Sequence, residues 1–131
     1  MAIRATEAVL DTSAILALVY REPGWGKAEA WFAKGVVSSL ICAEVVTHSV
    51  VRGQTALQIE QVWSALRLQV YSFDTARAMA AGLLVLRTRR LGLSLADRAC
   101  LALAIELNIP AVTADRAWSK LDLPVEIRVI R

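Results

Sequence analysis

The chain has 131 residues, enough for one domain with a sizeable core, and its hydrophobic fraction of 56% is rich in Ala, Leu and Val. No uncharged run reaches the roughly 18 to 20 residues of a membrane span, and the opening MAIRATEAVLD meets Glu7 and Asp11 without an apolar leader segment, which argues for a cytoplasmic protein. The net charge of +3 is unevenly spread: from Leu66 onward ten Lys or Arg face six acids, before it five face six, so the second half suits a polyanionic partner, nucleic acid or an acidic protein tail.

In chain order, Glu7 to Leu10 reads as a short strand ended by Asp11, and Ser13 to Tyr20 as a helix. Pro23 and Gly24 in EPGW break the chain. Lys27 to Ala33 is a second helix carrying Trp31 and Phe32, and Gly35 is expected to stop it. VVSS is a short buried strand, followed by a helix from Leu40 to Arg52 with Gly53 as its cap. Thr55 caps the next helix, whose apolar positions include Leu57, Trp63 and Leu66. QVYSF is a third strand. Asp74 then caps one long helix running to about Leu91 and ended by Gly92. Ser94 opens another helix, to Leu107, and Asn108 and Pro110 form the turn into a fourth strand, AVT. Asp115 to Leu121 is a short helix, and the alternating VEIRVI closes the chain as an edge strand. Short apolar strands alternating with helices predict a three-layer α/β/α sandwich on a mainly parallel sheet. No repeat or linker divides the chain, so residues 1–131 read as a single domain.

Four acids stand where strand-like runs meet helix-like ones: Asp11 in VLDTSAIL, Glu44 in VVSSLICAEVV, Asp97 in LGLSLADRACLALA and Asp115 in IPAVTADRAW. In an open parallel sheet, ligands bind beyond the carboxyl ends of the strands, near the topological switch point. All four can reach that edge although they lie 33, 53 and 18 residues apart, which makes the site tertiary. Their apolar flanks would partly desolvate them, and converging carboxylates repel each other unless a cation holds them. Mg²⁺ or Mn²⁺, which prefer oxygen ligands, fit such a set. Each acid also has a plainer explanation. Asp11 and Asp115 could simply cap helices, Asp97 completes a capping box with Ser94, and Glu44 could be a solvated helix residue. Thr12, Ser13, Ser94 and Thr113 place hydroxyls beside the acids, where they could orient carboxylates or metal-bound water.

Other chemistry is thinly represented. His48 is the single histidine and reads as a helix-surface or packed residue, so a histidine base or nucleophilic triad is not expected. Cys42 and Cys100 sit in apolar stretches without zinc spacing and read as buried free thiols. Arg87, Arg89 and Arg90 form a basic run, either a solvated helix end or a contact for nucleic-acid phosphate. Arg98 and Arg116 each follow an acid and could hold a carboxylate, a phosphate or a partner. Trp25, Trp31 and Phe32 read as core, or as a groove for a partner's tail.

The chain resembles the PIN-domain ribonucleases, and more narrowly the VapC toxins of bacterial toxin–antitoxin pairs. LDTSAIL, AEVV, GLSLADRACLALA and TADRAWSKLDLPVEIRVIR match the family's four acid-bearing blocks in order, and the third is the most specific. Ala96 stands where the subgroup usually has Gly. The resemblance implies that Asp11, Glu44, Asp97 and Asp115 are the metal and catalytic residues of a Mg²⁺- or Mn²⁺-dependent endoribonuclease. It further implies in-line attack by water leaving a 3′-hydroxyl, and a homodimer inhibited by a VapB-type antitoxin. A PIN nuclease of RNA processing and a non-cleaving PIN-like binding module are the alternatives within this fold. A phospho-receiver domain fits less well, because the last strand ends in VIR with no following Lys.

Overall fold

The computed structural model describes residues 7–131; residues 1–6, on which part of the leader argument rests, lie outside the described residues. In chain order the elements are β1 (Ala8–Leu10), α1 (Thr12–Tyr20), α2 (Trp25–Phe32), β2 (Gly35–Ser38), α3 (Ser39–Val51), α4 (Ala56–Leu66) and β3 (Gln69–Tyr71). They continue with α5 (Thr75–Leu83), α6 (Val85–Thr88), α7 (Leu95–Leu107), β4 (Ala111–Thr113) and β5 (Ile127–Val129). Two 3-10 turns, Arg89–Leu91 and Arg116–Lys120, follow α6 and β4.

The five strands form one sheet in the order β3-β2-β1-β4-β5, and every neighbouring pair is parallel. The expected α/β/α architecture is therefore present, on a sheet that is wholly parallel. β1, β2 and β4 are buried along their whole length. Strands covered on both faces have no wet side and so need no polar alternation, which is why they read as continuous apolar runs. Their polar residues, Ser38 and Thr113, fall at the carboxyl ends. The edge strands β3 and β5 are more exposed, and VEIRVI alternates as an edge should. α7 packs on β1, β2 and β4 and against α3 and α5, while α1 packs on β4 and against α2 and α3. Leu10, Ile15, Ile41, Leu101, Trp118 and Ile130 are the largest fully buried apolar side chains. Among the described residues no helix is long and apolar enough to cross a membrane.

Three expectations are corrected. Gly35 does not stop α2, which ends at Phe32; it opens β2. A Cβ there would meet Leu68 Cδ2 at 2.6 Å and Leu10 Cδ1 at 2.8 Å, so close packing is what demands glycine. The long helix from Asp74 to Leu91 is broken. Arg98, from α7, donates to the carbonyls of Ala81 at 2.9 Å and Gly82 at 3.3 Å. α5 ends there, the chain tightens through Arg87 N–H to Leu84 O, and Thr88 Oγ1 donates back to Leu84 O. The segment after Asp115 is likewise a 3-10 turn of Arg116–Lys120, anchored by buried Trp118.

Candidate active site

Strand order reverses direction between β1 and β4, so the crevice beyond their carboxyl ends is the switch point of this sheet. Asp11 follows β1, and Asp115 comes two residues after β4. Asp97 lies in the first turn of α7 and Glu44 in the second turn of α3. Parallel strands followed by helices bring the amino ends of α1, α3 and α7 to this same edge.

Asp11 is 4% exposed and occupies the N-cap position of α1, yet its side chain makes no cap bond. Its Oδ2 instead accepts from Ser13 Oγ at 2.7 Å and from Thr113 Oγ1 at 2.9 Å, across the β1–β4 seam. Both hydroxyl protons are thereby committed, so the 3.2 Å between Ser13 Oγ and Thr113 Oγ1 is a contact between two acceptors. Their lone pairs accept the N–H groups of Ala114 and Asp115, which ties this pair to the start of the β4 loop. Oδ1 is buried and has no hydrogen-bond partner among the described residues. Burial pushes the Asp11 carboxyl up from 3.8 to about 6, with the charge of Asp97 adding to it and Ser13 and Thr113 opposing.

The capping explanation that fails for Asp11 holds for two of the others. Asp97 Oδ2 accepts from Ser94 N–H at 2.9 Å while Ser94 Oγ accepts from Asp97 N–H at 3.1 Å, a complete capping box. Asp115 Oδ1 accepts from Ala117 N–H at 2.9 Å and is exposed. Each cap uses one carboxylate oxygen and leaves the other. The Asp97 carboxyl is also raised, by desolvation first and then by the charges of Glu44 and Asp115, with hydrogen bonding to Ser94 opposing. Asp97 is thus the electrostatic centre: it feels Glu44 and Asp115, and Asp11 feels it. Glu44 is half-buried and lines an open groove with Ser94, Leu95 and Ala96 at the start of α7. None of the four acids is in an ion pair among the described residues.

Among the described residues no three His, Cys, Asp or Glu side chains are drawn together tightly enough to enclose an ion. The caps on Asp97 and Asp115 hold those carboxylates toward their own backbones. The donor set nevertheless fits a hard divalent cation: oxygen only, mutually repelling, uncompensated by Lys or Arg, and with one buried oxygen orphaned. Asp11, Asp97, Asp115 and Glu44 could hold such a cation. Beneath them Cys100 is fully buried, and its thiol is pushed well up, chiefly by desolvation and further by Asp11 and Asp97.

Thr12 is buried, with its hydroxyl unpartnered among the described residues. Arg98 is committed to the end of α5, and Arg116 donates to Arg131 O at 3.4 Å, so neither meets a site carboxylate. His48 is exposed on α3, Cys42 is half-buried, Trp31 is half-buried, Phe32 is buried, and Trp25 is at the surface. Arg87, Arg89 and Arg90 share a surface groove with Lys120, a residue that sequence reading passed over. Its signal was the position of Lys120 two residues after Trp118, whose burial forces that turn against the body of the protein.

The PIN domain family model matches residues 8–123. No curated protein sequence matches the chain. Among solved structures, VapBC2 from Rickettsia felis, bound to a DNA fragment from its promoter, is similar with a TM-score of 0.71 and 17% identity, over 95% of this chain and 98% of that one. A toxin–antitoxin complex from Klebsiella pneumoniae has a TM-score of 0.69 and 20% identity, covering 92% of this chain and 100% of that one. VapBC-5 from Mycobacterium tuberculosis has a TM-score of 0.62 and 21% identity, covering 95% and 99%. At these identities the likeness concerns the fold.

Proposed function

We propose, from the premise that this chain belongs to the PIN-domain family, that it is a metal-dependent endoribonuclease and the toxin of a VapBC-type pair, with residues 1–131 acting as one domain. The observation that carries the reading is Asp11. A carboxylate sealed at the switch point, excluded from its own helix cap and left with one buried oxygen unpartnered costs stability in the free protein. Such a group is expected where a cation is to be held.

Asp11, Asp97 and Asp115 would hold Mg²⁺ or Mn²⁺, directly or through water, with Glu44 as the fourth acid. A divalent cation there would acidify a bound water and neutralise phosphate oxygens. The protein's own part is positioning. Ser13 and Thr113 fix the Asp11 carboxylate from two elements. The Ser94 box fixes Asp97, and the Ala117 N–H fixes Asp115, each leaving one oxygen available. Glu44, whose side chain makes no hydrogen bond among the described residues and lies beside the start of α7, would orient water. His48 is exposed on α3, so proton handling falls to carboxylates and water.

Support for a protein partner comes from two apolar surfaces. Val51, Leu57 and Val50 are 82%, 64% and 56% exposed near the α3–α4 turn. Met79, Leu83 and Leu86 are 63%, 63% and 64% exposed along α5 and α6. Exposed apolar clusters of this kind mark interaction sites, and a second copy of the chain and a VapB-type antitoxin would account for them. Both would meet it in the cytoplasm.

The test is cleavage of total RNA by purified, antitoxin-free protein in Mg²⁺, Mn²⁺ or EDTA, with Asp97→Asn as the control for contaminating nuclease. Discrete cuts lost in EDTA and in the variant are expected. Folded protein that cuts with no metal present, or cuts equally well as Asp97→Asn, would remove the reading.

A further inference from the structure

We propose that the groove between Arg87–Leu91 and the Arg116–Lys120 turn is a clamp for backbone phosphates of single-stranded RNA flanking the cut. The proposal rests on the nuclease reading and adds to it where the substrate strand lies. The groove has a volume of about 480 Å³ and is lined by Arg87, Arg89, Arg90 and Lys120, with Asp122 as its one acid. Four cations against one acid give the groove a local charge of +3.

Helix-end solvation does not explain the arrangement. Arg87 closes α6 and could complement its dipole, but Lys120 comes from a different element and faces the same groove. The side chains of Arg89, Arg90 and Lys120 make no hydrogen bond or ion pair among the described residues, so their donors are available. Clustered, unpaired cations repel one another, and a polyanion relieves that repulsion while releasing its own counterions. The walls are also fixed. Arg87 Nη2 donates to Asp122 O at 3.0 Å and pins one wall to the other. Arg98 holds the end of α5, and Thr88 holds the turn that follows it. Each wall leads straight to a site acid: Leu91 runs through Gly92 into the Ser94–Asp97 box, and Asp115 opens the 116–120 turn. A strand gripped here lies along the two segments that carry Asp97 and Asp115.

The experiment measures binding, so that it does not depend on cutting. In an Asp97→Asn background, the affinity for a labelled single-stranded RNA is followed against salt. The triple variant Arg89→Gln, Arg90→Gln, Lys120→Gln is compared with a charge-matched control, Lys27→Gln, Lys34→Gln, Arg67→Gln, and each is checked for an unchanged thermal midpoint. With about 0.7 per phosphate contact on single strands, the groove triple should flatten the slope of log K against log salt by about 2, and the control by much less. Equal losses in both triples would mean diffuse charge and overturn the proposal. So would a groove triple that weakens binding of a polyglutamate peptide and leaves RNA binding intact, which would make the groove a protein contact. Groove-dependent RNA binding by a protein that never cuts RNA would keep the clamp and remove the nuclease reading instead.

Discussion

Replacing Asp11 by Asn should make the metal-free protein more stable at neutral pH and less stable in acid. A buried carboxyl that titrates at about 6 when folded and at 3.8 when unfolded costs about 3 kcal/mol once ionised. Between those two values the folded state holds the proton that the unfolded state has lost, so stability falls as pH rises from 3.8 to about 6 and the full cost remains above it. Asn keeps an oxygen for Ser13 and Thr113 but places an amide where the orphaned Oδ1 was, at a cost of about 1–2 kcal/mol. The net gain near pH 7.5 in EDTA is then about 1–2 kcal/mol, or several degrees in midpoint. The pH difference is the sharper quantity, because the amide penalty does not titrate. Urea denaturation of both proteins from pH 4 to 7 should show stabilities diverging by about 2–3 kcal/mol in favour of the variant. Mg²⁺ should then raise the midpoint of the native protein at pH 7 and leave that of the variant unmoved. Parallel stability–pH curves would refute the claim that this carboxylate is held at an electrostatic cost.

Two further outcomes test the scaffold. Thr113→Val removes a fully buried hydroxyl that orients Asp11 and accepts the Asp115 N–H, and should lower metal affinity or activity by about 10–100-fold; isothermal titration with Mn²⁺ measures it, and wild-type affinity would show that Ser13 alone suffices. Gly35→Ala pushes a methyl against the fully buried Leu10 and should cost about 1–3 kcal/mol in urea denaturation; no loss would mean that Leu68 and Leu10 repack freely.

The local sequence of this protein determined its strands, its caps and its architecture. AVL, GVVS and AVT are apolar without alternation because strands covered on both faces have no wet side, and that pattern alone predicts a parallel sheet under helices. Thr55, Asp74 and Ser94 each cap the helix they precede, since capping depends only on residues two or three apart. The positions of the acids at strand and helix junctions were legible for the same reason. What decided the rest was distance in sequence. α5 stops where it does because Arg98, 17 residues beyond Ala81, takes its last carbonyls. Gly35 is a packing residue because Leu68 and Leu10 converge on it. Lys120 joins Arg89 and Arg90 only once Trp118 is buried. Whether an acid caps its helix cannot be read from the local sequence; at Asp11 it does not, because Thr113, 102 residues away, draws the carboxylate off the helix and leaves one oxygen alone in the core.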